Sequence, residues 1–109
     1  MKISDIPFNV TDWEKVDPEE HKGETGSAFW RTKLFGDIRI RMVEYTPGYS
    51  ADHWCSKGHI ILCLEGLLTT ELDDGQKFIL APGMSYHVSD NTGSHRSSTL
   101  LGAKLFIVD

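Results

Sequence analysis

Apolar residues come in short runs that alternate with polar ones, and glycine or proline closes most runs. That is the period of two of half-buried strands, and no stretch keeps a helical period. Ser27 to Phe35 and Ile38 to Tyr45 read as two strands joined at Gly36-Asp37, a pair with glycine first that suits a tight hairpin. Pairing through that turn sets Phe35 opposite Ile38 and Trp30 opposite Val43. Arg31, Lys33, Arg39 and Arg41 interrupt both faces and are expected as solvated cross-strand charges rather than as a grip on an anion. Leu67 to Leu72 and Gln76 to Leu80 form a second hairpin about Asp73-Asp74-Gly75. After Pro82-Gly83, Met84 to Val88 is a strand and Ser89 to Ser94 a loop. His95 to Leu101 and Ala103 to Val108 complete an all-β sandwich or barrel.

The first 26 residues differ. They are polar, broken by Pro7, Pro18, Gly23 and Gly26, and carry isolated anchors at Ile6, Phe8, Val10, Trp13 and Val16. Residues 1–26 are therefore read as an arm that docks on the barrel of residues 27–109 or on a second subunit. Thr11-Asp12-Trp13-Glu14 is a start signal for one helical turn, and His21, beside Glu19 and Glu20, is expected in solvent.

At 109 residues the chain fits one domain, and 39% hydrophobic with 25% charged residues is ordinary for a globular protein. Eleven basic against sixteen acidic residues give a net charge of −5, which argues against nucleic acid. The polar start Met1-Lys2-Ile3-Ser4-Asp5 shows no leader and no segment could span a membrane, so a soluble cytoplasmic protein is expected. The two cysteines, Cys55 and Cys63, are read as thiols: Cys63 as a small buried hydrophobe, Cys55 as the reactive one.

The chemistry concentrates in Asp52-His53-Trp54-Cys55-Ser56-Lys57-Gly58-His59. If this stretch is extended, His53 and Cys55 face the same way, and His59 returns to that face after a turn at Gly58, whose backbone is free of side-chain restraint. Two imidazoles and a thiol would then converge as ligands for a transition metal. Ile60 to Glu65, closed by Gly66, reads as a buried strand: His59, Ile61 and Cys63 share the ligand face, while Ile60, Leu62 and Leu64 make an apolar outer face. Such a face needs a cover, and a homodimer is expected to supply it.

In order, Gly48, His53, Cys55, His59 and Gly66 resemble the first motif of the small single-domain cupins with a conserved barrel. Cys55 stands where that family has its second His, His59 where it has Glu, and the gap from Gly48 to His53 is one residue short. The chain is also similar to the cupin group labelled by an Asp-His-Cys-Trp motif, with the order here Asp52-His53-Trp54-Cys55. The resemblance runs from about Ile38 to Asp109. It implies a cupin-type jelly-roll β-barrel and a last metal ligand after a Pro-Gly turn, a strand and a loop. That role falls on His95, with His87 as the rival. Trp54 and Tyr86 are expected as core, though either could line a pocket.

The expected metal ligands are thus His53, Cys55, His59 and His95. A thiolate among imidazoles suits zinc, iron, nickel or copper rather than magnesium or calcium. The resemblance implies a metal-dependent enzyme acting on a small molecule, of the dioxygenase, isomerase or decarboxylase type. Against this stand a non-catalytic module with a closed zinc site and a thiol or metal sensor built on Cys55.

Overall fold

A computed structural model describes residues 3–109. Met1 and Lys2, read above as part of a leaderless start, lie outside the described residues. The strands are β1 (Glu19–Lys22), β2 (Ser27–Phe35), β3 (Ile38–Tyr45), β4 (His59–Gly66), β5 (Leu68–Leu72), β6 (Lys77–Leu80), β7 (Ser85–Val88), β8 (His95–Ser98) and β9 (Ala103–Val108). They form an antiparallel six-stranded sheet in the order β1-β2-β3-β9-β4-β7, which faces a three-stranded sheet in the order β6-β5-β8. This is the jelly-roll barrel expected. Ser50 bridges to both Thr25 and Ser98 and so links the two sheets along one side.

Alternation along the strands sorts side chains between the faces. Val43, Ile61, Cys63, Leu68 and Leu105 point inward and are fully buried, each apolar side chain of this size contributing about 1.5–3 kcal/mol. The β2–β3 register sets Phe35 opposite Ile38 and Trp30 opposite Val43, as the tight turn requires. Gly36 adopts the positive φ of +59° needed at the first position of that turn. The second hairpin is closed by a three-residue loop, Asp73 to Gly75, in which the Leu72 amide donates to the Gln76 carbonyl.

Three elements differ from the sequence reading. The arm contributes a strand, β1, at the edge of the large sheet. The Asp12 carboxylate caps a single 3-10 turn, Trp13–Lys15, and Arg31 fastens it by donating to the carbonyls of Trp13 (3.0 Å) and Val16 (2.6 Å). Trp13 rests edge-on against Phe106, so the arm lies on the outer face of its own barrel. β8 ends at Ser98, because the Thr99 hydroxyl donates to the Leu67 carbonyl and accepts the Gly102 amide, which turns the chain and leaves Leu100 and Leu101 exposed. Asp52 to Cys55 is bent rather than extended, and only Cys55 pairs, across an isolated bridge to His95.

Candidate functional site

The site is built from the inward positions at one end of the barrel. His59 opens β4 on the face shared with Ile61 and Cys63, and Tyr86 stands opposite Ile61 on β7. The His59 Nε2 lies 3.0 Å from the Tyr86 hydroxyl, and its Nδ1 lies 3.9 Å from the Asp109 carboxylate. Burial and the neighbouring Tyr45 push the Tyr86 pKa up, so the phenol is protonated at neutral pH.

His95, at the start of β8, is only 3% exposed. Its ring centroid lies 4.7 Å from that of His59 and 6.2 Å from that of Tyr86. Neither ring nitrogen has a hydrogen-bond partner. Burial, with His59 next to it, lowers the pKa and favours the neutral imidazole, the form that ligates a metal. Cys55 and His95 exchange both backbone hydrogen bonds, at 2.8 and 2.9 Å, so they are directly opposed. Opposed residues of an antiparallel pair project to one face with Cβ atoms about 5 Å apart, which puts Cys55 on the same face as His95.

Asp109 extends the inward parity of Leu105 and Ile107 by one more position and is wholly buried at the side chain. Its carboxylate accepts from Arg39 Nε (2.9 Å), Arg39 Nη2 (3.0 Å) and Arg41 Nη2 (3.0 Å). Burial alone would raise its pKa, but His59 and the two guanidiniums outweigh that and hold it well below the usual carboxylate range. Arg41 is 6% exposed and lies over the face of Trp30, its guanidinium carbon 4.3 Å from the ring centroid. The solvated position expected for it is wrong: β3 presents Arg39 and Arg41 on the same face as Val43 and Tyr45. His21, also expected in solvent, is half-buried and stacks on Trp30 with centroids 3.9 Å apart.

His59 lies beside His95 through their rings and Cys55 pairs with His95 through the backbone, whereas His53 lies apart. The convergence that strand parity suggested for His53 is not found, since the backbone bends at Asp52 and His53. The His53 side chain is 74% exposed and hydrogen-bonds the Asp52 carboxylate. His87 lies opposite Ile60, exposed, on the other side of its strand from Tyr86. Trp54, expected as core, is partly exposed beneath the Arg96 guanidinium. Among the described residues, no three His, Cys, Asp or Glu side chains are already positioned around one ion.

A cavity of about 520 Å³ opens beside His59 and Asp109, walled by Ile38, Ile60, Val88 and the Lys57-Gly58 turn. Gly58 is required there by close approach rather than by its φ: a Cβ would lie 2.6 Å from the Asp90 amide nitrogen and 2.8 Å from the Val88 carbonyl oxygen. A second cavity, about 310 Å³, lies between the arm and the large sheet and is lined by no imidazole or thiol.

No family model matches this sequence, and no curated protein matches it. Solved structures do. An RmlC-like cupin from Shewanella frigidimarina is 15% identical, with a TM-score of 0.72 over 94% of this chain and 90% of that one. A predicted oxalate decarboxylase from Thermotoga maritima is 15% identical, with a TM-score of 0.75 over 92% and 96% of the two chains. The structure of Fe(II)-HppE with an alternative substrate is 12% identical, with a TM-score of 0.76 over 96% of this chain and 62% of that one. Identities this low bear on fold, and the fold is that of a small cupin domain. Among the described residues, no helix is long and apolar enough to cross a membrane.

Proposed function

We propose that this cupin-fold chain holds one divalent transition metal ion in its barrel and presents it to a small molecule that enters through the mouth cavity. The observation that carries the reading is His95, a buried neutral imidazole with both ring nitrogens unpaired, beside a second imidazole and a thiol. Buried polar groups are almost always partnered, and a metal ion fits this donor set. His59, His95 and Cys55 would hold it, with His53, now exposed and bonded to Asp52, as the fourth candidate.

The ion would act as a Lewis acid toward a bound oxygen atom. To take the ion, His59 Nε2 would give up the Tyr86 hydroxyl that it now meets at 3.0 Å, while Asp109 holds negative charge near Nδ1 and the loop at Gly58 shapes the entrance. An open mouth beside His59 and an outlying fourth ligand both favour an accessible metal over a closed structural zinc site. Metal-dependent chemistry on a small molecule, of the dioxygenase, isomerase or decarboxylase type, is the reading these features support. The two free thiols suit a reducing cytoplasm.

Metal analysis of untagged protein tests the reading. One zinc, iron, nickel or copper ion per chain is expected, with occupancy well below stoichiometric in His95→Ala and His59→Ala, and weakened but not abolished in His53→Ala. Full occupancy in His95→Ala would overturn the assignment. Loss of metal in His87→Ala would move the fourth ligand to that residue.

A further inference from the structure

Two hydroxyls inside the barrel are unequally served. The Tyr86 hydroxyl meets the His59 Nε2 at 3.0 Å. The Thr70 hydroxyl, on a residue only 3% exposed, meets no partner. Yet the two are neighbours. Thr70 lies on the inner face of β5 with Leu72, which opposes His95 on β8, and its hydroxyl is close enough to Tyr86 to pull the phenol pKa down against the effect of burial. A hydroxyl sealed in an interior without a partner costs stability, and valine would fill the same volume without that cost.

His59 gives the spare hydroxyl a use. The Asp109 carboxylate, 3.9 Å from Nδ1, favours the imidazole proton on that nitrogen and leaves the lone pair on Nε2. Tyr86 therefore donates its O–H into the same lone pair that a metal ion at this centre needs, and His59 cannot serve both. The rings of His59 and Tyr86 stand 4.7 and 6.2 Å from that of buried His95, so a displaced O–H has to find its next acceptor within the barrel. Thr70 Oγ1 is such an acceptor, and no other group in the structure uses it.

We propose that Tyr86 and Thr70 form a two-position switch: the Tyr86 O–H caps His59 Nε2 in the metal-free chain and passes to Thr70 Oγ1 when His59 takes the ion. Thr70 is then a positioning residue of the metal centre, although it is no ligand. The inference rests on the metal reading and adds to it a residue outside the ligand set. One hydrogen bond replaces another, so the phenol barely opposes metal uptake while Thr70 is there to receive it.

The test measures zinc dissociation constants for the untagged full chain by competition with a chromophoric chelator. Thr70→Val should weaken zinc binding about tenfold, because the displaced Tyr86 O–H is left buried without an acceptor. Tyr86→Phe alone should change the affinity by less than about threefold, since the two hydrogen bonds offset each other. The double variant should recover the affinity of Tyr86→Phe, because no hydroxyl then needs a home. Thr70→Ser keeps an acceptor and should bind as the unaltered chain does, and so should Thr69→Val, altered on the other face of the same strand. Undiminished zinc binding in Thr70→Val, or a loss that persists in the double variant, would overturn the switch while leaving the metal centre standing. If neither the unaltered chain nor Tyr86→Phe binds zinc, the metal reading and the switch fall together. Should Thr70→Val fail to fold, Thr70→Ala takes its place in the same comparison.

Discussion

Replacing Asp109 by Asn should destabilise the barrel severely, and the cost follows from which guanidinium can escape. Asp109 accepts three hydrogen bonds from Arg39 and Arg41. The Arg39 side chain is 31% exposed and can turn toward water, so its share is discounted. The Arg41 side chain is 7% exposed and cannot. Breaking a sealed ion pair by removing one partner costs roughly 3–5 kcal/mol. With one guanidinium able to rehydrate and Asn still offering a carbonyl oxygen, the lower end applies, about 3 kcal/mol. In a domain of this size that lowers Tm by roughly 12–24 °C.

Urea and thermal unfolding at pH 7 measure the loss, and a Tm within about 2 °C of the unaltered protein would show that Arg41 does not depend on Asp109 for its charge balance. The pH dependence follows from the depressed pKa of Asp109. A carboxyl whose folded pKa lies below its unfolded value contributes fully above the unfolded value, about 3.9, and loses that contribution as pH falls toward the folded one. The gap between Asp109→Asn and the unaltered protein should therefore hold from pH 8 to about 5 and narrow below about 4. Adding Arg41→Met to Asp109→Asn should recover part of the stability, because the stranded charge is then gone.

Two further outcomes are expected. Cys55 should resist alkylation when metal is bound and react faster once the metal is removed, since a ligated thiolate is not free to attack; equal rates would remove it from the ligand set. The chain should be a homodimer by light scattering at micromolar concentration: Ile60 is 47% exposed, with Phe8 and Val10 of the arm also in solvent, a combination suited to packing across a two-fold axis. A particle of 12.3 kDa would contradict this.

The hairpins were legible because turn chemistry and alternation agree locally. Gly36 and Gly75 fix where the chain reverses, and the Trp30–Val43 register follows from the first of these turns. The cupin resemblance of the stretch from Gly48 to Gly66 led to the fold. What could not be read was the path between strands. Parity holds only where the backbone is extended, and at Asp52 a carboxylate captures His53 and the chain bends, so two residues of spacing no longer mean one face. The charged cluster was missed for the opposite reason: charge argued for solvent, although Arg39 and Arg41 keep step with Val43 and Tyr45, and Asp109 with Leu105 and Ile107. Only the meeting of β3 with the end of β9, far apart in sequence, makes those charges mutually tolerable inside the barrel.

X-ray absorption spectroscopy of zinc-loaded protein reads the ligand atoms of the metal centre themselves. Imidazole scattering together with one sulfur scatterer is expected, with the imidazole component reduced in His95→Ala and the sulfur lost in Cys55→Ser. A zinc shell of oxygen alone, or one unaltered by both substitutions, would contradict a metal centre built on His59, His95 and Cys55.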